Sequence, residues 1–411
     1  MSLKSQKRLY LDANATYGLL PEVTSFLTQF LENIQDNQYL NPSSIHCEGQ
    51  RVRALVDETR SDLYDFLHLS ESTHRIFFTS GATEGNNQAL GYPFRESVTY
   101  GKPRLVSSSV EHSSVEEPLR RLEEDGVEVV RVRPDASGEL SVDSVLSVMN
   151  EDTRLVSLMW ANNETGVIHP IPEIFQRVRR EFPQCILHTD AVQMFSKKAI
   201  DLRAFPFDFL TIAPHKFGGL PGVGITIASS ALSLHSFLVG GAQELKWRPG
   251  TENTLGIASI GPALRKLPHI WEEYAQSTSQ IRSEFERAIL ERYPSSDIVG
   301  MRAAHRLANT SLVYLPGTST EDLVVALDLE GVACSRGSAC SSGKQLGSHV
   351  LGGMSLPESA SKEVLRFSFR SDFKKDDLKT VLERVFLCFD RSGVATTEQE
   401  SATLSPSGEA S

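Results

Sequence analysis

The chain has 411 residues, 40% hydrophobic and 23% charged, a globular balance too long for one ordinary domain. A formal net charge of -11 argues against nucleic-acid binding, and no apolar run approaches the roughly 20 residues of a membrane span. Met1–Arg8 lacks the apolar core of a signal peptide, and the 5 scattered cysteines, with no CxxC among them, argue against a disulfide framework or a metal site, so a cytoplasmic protein without bound metal is expected.

Val52, Leu55, Val56, Leu63, Phe66 and Leu67 fall on one helical face, and Ile76-Phe77-Phe78 then reads as a short buried strand. Further strands are predicted at Leu105-Val106, Val129-Val130, 155–159, Ile186-Leu187 and 209–212, with a helical stripe at Ile174, Phe175 and Val178 between them. Strands alternating with helices predict an α/β fold whose mainly parallel sheet is covered on both faces, with ligands outside the C-terminal strand ends. After residue 262 the rhythm changes: a helical stretch follows Pro268, then come a strand at 311–315, a helix at 321–329, a strand at 365–369 and a helical stripe of Leu378, Val381, Leu382, Val385 and Phe386. A large domain over 1–262, whose first residues can pack with its neighbour, and a smaller α+β domain over 263–391 are therefore expected. Residues 392–411, rich in Ser, Thr, Glu and Ala, read as a disordered tail.

Three of the predicted strands end in residues suited to chemistry. Thr79-Ser80-Gly81-Ala82-Thr83-Glu84 is a small-residue turn entering a helix, which makes an anion site or simply a capped helix. Asp190 ends the Ile186-Leu187 strand, where it serves either a site or the N-cap of the next helix. Lys216 sits in the loop Ala213-Pro214-His215-Lys216-Phe217-Gly218-Gly219, either as a Schiff-base amine or as an ordinary surface lysine. An Asp and then a Lys, each after one of two successive strands, are together far more specific: they suit pyridoxal 5'-phosphate (PLP), the Asp pairing with the pyridine nitrogen and the Lys with the aldehyde carbon. Cys340 lies in Ser335-Arg336-Gly337-Ser338-Ala339-Cys340-Ser341-Ser342-Gly343, a loop of small residues suited to a reactive thiol, the alternative being an inert cysteine under a turn.

These motifs resemble those of the cysteine desulfurases, the NifS/IscS-like family of fold-type I PLP-dependent transferases within the class V aminotransferases. The resemblance runs from Tyr10-Leu11-Asp12-Ala13-Asn14-Ala15-Thr16 to Arg366-Phe367-Ser368. It takes in Asn41-Pro42-Ser43-Ser44-Ile45-His46, Glu111-His112, Asn162-Asn163-Glu164-Thr165-Gly166 and Arg248-Pro249-Gly250-Thr251-Glu252-Asn253. It implies a seven-stranded large-domain sheet, with Lys216 carrying PLP and moving protons, Asp190 on the ring nitrogen, and His112 stacked on the ring as a further acid–base group. Asn163 and Gln193 would meet the ring oxygen, and Ala82, Thr83 and His215 the phosphate. Thr251 would reach the phosphate in a neighbouring subunit, which implies a homodimer. Arg366, with Asn14 nearby, would bind the carboxylate of L-cysteine. Cys340 would take the sulfur as a persulfide, leaving L-alanine, and pass it to an acceptor protein such as an iron–sulfur scaffold, or to tRNA thiolation.

The chain departs from the family pattern at three places. Ala213-Pro214 stands where a serine two residues before the His is usual, which removes a phosphate hydrogen bond worth about 1.5–3 kcal/mol. Tyr17-Gly18 replaces Thr-Pro, and Lys246-Trp247 replaces smaller residues; both changes are expected near the substrate mouth or a subunit contact. Selenocysteine cleavage, another class V reaction, or a catalytically weak scaffold of iron–sulfur assembly are the alternatives that the residues leave open.

Overall fold

The structure, a computed structural model, describes residues 7–94, 103–233, 235–337 and 348–396. The first part of the chain contributes β1 (Leu9–Tyr10), α1 (Pro21–Gln35), α2 (Cys47–Leu67), β2 (His74–Thr79), α3 (Ala82–Gly91), β3 (Arg104–Ser108), α4 (Ser113–Glu124) and β4 (Glu128–Val132). It continues with α5 (Val142–Leu146), β5 (Thr153–Ser157), α6 (Ile171–Glu181), β6 (Ile186–Asp190), α7 (Val192–Phe195), β7 (Phe209–Ile212), β8 (Gly224–Ser229), α8 (Thr254–Ala258) and α9 (Ile260–Glu273). The remainder forms α10 (Ser279–Arg292), β9 (Asp297–Ile298), β10 (Thr310–Tyr314), α11 (Thr320–Leu329), β11 (Val332–Ala333), β12 (Ser335–Arg336), α12 (His349–Gly353), β13 (Val364–Ser368) and α13 (Lys375–Arg391).

Seven strands form the main sheet in the order β2-β8-β7-β6-β5-β3-β4. From β7 to β4 every pairing is parallel, whereas β8 runs antiparallel to both β2 and β7. The central strands are buried almost end to end because helices cover both faces. Parallel strands place their C-terminal ends on one side, so the loops after β3, β5, β6 and β7 open together. Strand β8 is an addition to the sequence reading. Its Ile225-Thr226-Ile227 alternation was there to be read, but it follows closely on the glycine-rich turn after Lys216.

A second, four-stranded antiparallel sheet runs β12-β13-β10-β9 and has its own apolar cluster with α10, α11 and α13. The N-terminal strand belongs to this part of the molecule: β1 pairs with β11, Leu9 and Leu11 lie in the second cluster, and Asp12 bridges to Ser368. Helix α9 begins at Ile260 rather than after Pro268, which lies inside it. A proline there costs one backbone hydrogen bond, and burial of the helix face offsets that cost. Residue 262 thus falls inside α9, whose Ala263, Leu264, Leu267 and Ile270 pack in the large cluster. Of the tail, Val394 is buried in the second cluster, and 397–411 lie outside the described residues.

The unusual residues at Tyr17 and Trp247 are core residues rather than features of a mouth. Trp247 packs 4.0 Å from Phe77, centroid to centroid, and stacks near Phe209. Tyr17 is buried under the Arg370 guanidinium, and its hydroxyl meets Ser371 Oγ at 2.8 Å. Lys246 closes a run of three non-glycine residues at positive φ (Glu244 47°, Leu245 58°, Lys246 70°). This turn stores strain. It is pinned by the buried Glu244 carboxylate, which accepts from Arg60 at 2.7 Å and from Phe78 N at 2.9 Å.

Candidate active site

The site is built where the C-terminal ends of β3, β6 and β7 meet β13 of the second sheet. Strand β7 runs into a single helical turn, Pro214–Lys216, which turns Lys216 back towards the N-terminal segment. Lys216 Nζ donates to Asn14 O at 2.6 Å and to Ala15 O at 2.8 Å. Asp190, the last residue of β6, is held by Asn86 Nδ2 on Oδ2 at 2.8 Å and by Val192 N on Oδ1 at 3.0 Å. Asn86, on α3, also donates to Ser114 Oγ at 2.9 Å. The sequence reading passed over this asparagine, which only the α3–β6 packing brings to Asp190.

His112 caps α4: its Nδ1 accepts from Ser114 N at 3.1 Å and contacts Ser114 Oγ at 2.8 Å. Burial lowers its pKa, Asp190 opposes that shift, and the charges of Lys216, His349 and Arg366 add to it. The imidazole therefore sits among these groups in its neutral form at neutral pH. His215 is also neutral, lowered to about 4 by burial and by the lysine charges beside it, and its Nδ1 meets Thr16 Oγ1 at 2.8 Å.

Arg366 is almost wholly buried on β13. Its Nη2 pairs with Asp12 Oδ1 at 2.7 Å and its Nη1 donates to Asn163 O at 3.1 Å, while Nε has no partner among the described residues. The Asn14 amide is fully engaged: Nδ2 donates to Asn163 O (3.1 Å) and Thr310 Oγ1 (2.9 Å), and Oδ1 accepts from Asn309 Nδ2 (3.0 Å). Asn163 Oδ1 is buried without a partner among the described residues. Gln193 Nε2 donates to Asn14 O at 3.2 Å, the same carbonyl that holds Lys216. The structure thus brings together Asn14, His112, Asn163, Asp190, Gln193, Lys216 and Arg366.

Ala82 and Thr83 open α3 behind Gly81, which offers no side-chain cap. That turn is tied to the segment bearing Thr251, because Glu84 accepts from Ser80 N at 2.8 Å and from Arg248 Nε at 3.1 Å. Thr251 itself is exposed and shares a small cavity with Ser80, Gly222 and Arg248. Ala213 is buried, and Pro214 accepts from Phe217 N and Gly219 N, each at 3.0 Å. Cys340 lies outside the described residues. On either side of that stretch, Gly337 and Ser348 both meet the buried Glu164. Ser348 Oγ donates to Glu164 Oε2 at 2.6 Å, and a Cβ on Gly337 would approach the same oxygen to 2.6 Å.

Glu111, just before His112, is fully enclosed. Ser108 Oγ (2.5 Å) and Met159 N (2.9 Å) donate to its Oε1, and burial pushes its carboxyl up to about 8. Its folded pKa lies above the ordinary 4.5, so its stabilising contribution is complete below that pH and is lost as pH rises to about 8. Glu111→Gln mimics the neutral acid. Wild type is expected to lose on the order of 2–4 kcal/mol between about pH 5 and pH 8 that the variant keeps. Urea unfolding at both pH values checks this, and identical pH slopes for the two proteins would refute it.

The aminotransferase class-V family model matches residues 9–381. The cysteine desulfurase IscS of Dictyoglomus turgidum is 35% identical over 387 residues, covering 92% of this chain and 95% of its own. Among solved structures, a NifS-like protein superposes with a TM-score of 0.84 at 27% identity, covering 93% of this chain and 100% of its own. The structure of SspA in complex with cysteine gives a TM-score of 0.75 at 29% identity, covering 88% of this chain and 99% of the other. With its motifs, its mainly parallel sheet and these likenesses in agreement, the chain belongs to the class V aminotransferase family, in the group of the cysteine desulfurases.

Proposed function

We propose that the protein is a PLP-dependent cysteine desulfurase that converts L-cysteine to L-alanine and takes the sulfur onto Cys340. The observation that carries the reading is the convergence of Lys216, Asp190, His112 and Arg366 on one site. The donor set fits the cofactor. An amine, a carboxylate at a strand end, a neutral imidazole and an uncapped helix N-terminus suit an aldehyde, a pyridine nitrogen, a flat ring and a phosphate in turn. The unpartnered buried Asn163 Oδ1 leaves an open acceptor there, and the Asn163 amide would have to present Nδ2 to meet the ring oxygen.

When bound, PLP supplies an electron sink for the charge left on the substrate's Cα. In this reading Lys216 would leave the carbonyls of Asn14 and Ala15 to hold the cofactor, and once the substrate amine had replaced it, the freed Nζ would accept the Cα proton. Asp190 pairs with the ring nitrogen, and Asn86 keeps it aimed there. His112 would lie on the ring face and act as a second proton carrier. Gln193 and Asn163 meet the ring oxygen, and Ala82, Thr83 and His215 meet the phosphate. Arg366 takes the substrate carboxylate, with the unpartnered Nε part of its fork. The saturated Asn14 side-chain amide positions Asn163, and the Asn14 backbone carbonyl positions Gln193. In the net reaction, the substrate's C–S bond breaks and its electron pair stays with carbon, which is protonated to the methyl of alanine. An S–S bond forms on Cys340, so cysteine plus one thiol gives alanine plus one persulfide.

Burial raises the thiol pKa of Cys185, Cys334 and Cys388, which suits them to structural roles; of Cys340 and the exposed Cys47, the small-residue loop of Cys340 and the family resemblance favour Cys340 as the acceptor. The reading extends to a cytoplasmic homodimer in which Thr251 of a second copy reaches the phosphate. The exposed Phe237, Leu238, Val239 and Leu245 near that segment support a subunit contact. Among the described residues no helix is long and apolar enough to cross a membrane. The persulfide would pass to a sulfur-acceptor protein such as an iron–sulfur scaffold.

The test is alanine and sulfide release from L-cysteine with added PLP and a reductant, beside Cys340→Ala. Wild type is expected to turn over, and the variant to fall by about 10²-fold or more while PLP stays bound. An equal rate in the variant would remove Cys340 as the acceptor. No alanine from the PLP-loaded wild type would remove the reading itself.

A further inference from the structure

We propose that Lys197 is a positioning residue, whose buried Nζ holds the Gln193 side chain so that Nε2 rather than Oε1 faces the cofactor site. The inference rests on the PLP reading above.

Lys197 lies just after α7, beside the exposed Lys198, yet it is only 3% exposed. Its Nζ donates to Gln193 Oε1 at 2.7 Å and to Ser196 Oγ at 2.9 Å. No carboxylate pairs with it among the described residues. Burial, with the charges of Lys216 and Arg366 adding to it, lowers its pKa well below the ordinary lysine value, so the charged form is penalised where a leucine or methionine would pack without that cost. The lysine therefore calls for a reason other than packing.

Its hydrogen-bonding partner supplies one. A glutamine amide has an acceptor end and a donor end of nearly equal size, and only its surroundings decide which way it points. Lysine donates and so takes the acceptor end. Gln193 Oε1 is drawn to Nζ, and Nε2 is left on the other side, against Asn14 O at 3.2 Å. Lys216 Nζ holds that same carbonyl at 2.6 Å, so the Gln193 donor stands next to the amine that carries the cofactor. In PLP the ring oxygen is the neighbour of the aldehyde carbon. A donor placed beside Lys216 therefore meets that oxygen in its anionic form. It draws charge from the oxygen and makes the adjacent Schiff-base nitrogen a weaker base. Without Lys197 the amide can turn, and an acceptor then faces the anion.

The experiment is a pH titration of bound-PLP absorbance in the holoenzyme, for wild type, Lys197→Met, Gln193→Leu and the double variant. Lys197→Met is expected to fold, because it replaces a buried amine that no carboxylate pairs with among the described residues by an apolar chain of similar length; Lys197→Leu makes the same deletion with another shape, should the first fail. The expected result is a midpoint raised by about one pH unit in Lys197→Met, about a tenfold change in the proton affinity of the Schiff base. No further shift is expected when Lys197→Met is added to Gln193→Leu. A midpoint equal to wild type would overturn the inference. So would a shift of the same size in the Gln193→Leu background, which would mean that the lysine charge acts directly on the cofactor. A merely structural role would change the melting temperature and leave the midpoint in place. Failure of the underlying PLP reading looks different: wild type itself would then show no pH-dependent absorbance from bound PLP.

Discussion

Lys216→Ala is expected to lower L-cysteine turnover by about 10⁴-fold or more, because one amine is asked both to carry the cofactor covalently and to move the Cα proton. The histidine beside it cannot stand in for it. His112 is buried and tied by Nδ1 to Ser114, at the start of α4, where it can lie on a ring but cannot reach out to form a covalent link to its aldehyde. Removing the amine leaves the carbonyls of Asn14 and Ala15 without this donor, at a cost of about 1–3 kcal/mol each if water cannot enter. The core beneath, through Phe217 and Ile212, is untouched, so the fold should survive. Two measurements separate the amine's two jobs. Borohydride should fix PLP covalently to wild type and not to the variant. In the variant, single-turnover alanine formation should remain slow even when PLP is saturating. A rate within tenfold of wild type would mean that another group moves the proton, and the assignment of Lys216 would fail.

How much of this was legible in the sequence follows from what sets each feature. The parallel strands could be read because strands buried on both faces are short apolar runs bounded by turns, and the places of Asp190 and Lys216 could be read because each stands at or just past the end of such a run. Strand β8 was missed because its place depends on pairing with β2, far away in the chain. The helix around Pro268 was begun too late because the proline reads locally as a start, whereas burial of Leu264 and Leu267 in the main cluster decides the matter. Tyr17 and Trp247 were expected near the substrate mouth or a subunit contact because the altered motifs lie near chemical ones. Their rings instead fill the interior, against Arg370 and against Phe77. Glu164 was quoted only as a member of a motif, and Asn86 and Lys197 gave no signal at all. A lysine in a Lys-Lys pair is ordinarily on the surface, and only tertiary packing buries this one.

Arg366→Gln is expected to lower kcat/KM for L-cysteine by about 10²–10³-fold, mostly through KM, from loss of two charge-assisted hydrogen bonds to the substrate carboxylate. The same change harms the fold, and the two effects must be parted. Arg366 is buried and pairs at 2.7 Å with the half-buried Asp12, and removing one partner of a fully buried pair typically costs about 3–5 kcal/mol, which is an upper bound here because Asp12 keeps some solvent. Adding Asp12→Asn to Arg366→Gln removes that stranded charge. The double variant should regain most of the lost melting temperature, while KM for L-cysteine stays high. Substrate chemistry gives a second separation. Cysteamine has the amine and thiol of cysteine but no carboxylate, so it gains nothing from the guanidinium, and the double variant should turn it over as fast as wild type does. If the double variant instead loses equally on cysteine and on cysteamine, Arg366 acts by shaping the site, and the carboxylate is bound elsewhere. If it loses on neither, the buried Nε of Arg366 meets no substrate atom, and the Asp12 pair serves only to join the N-terminal segment to β13.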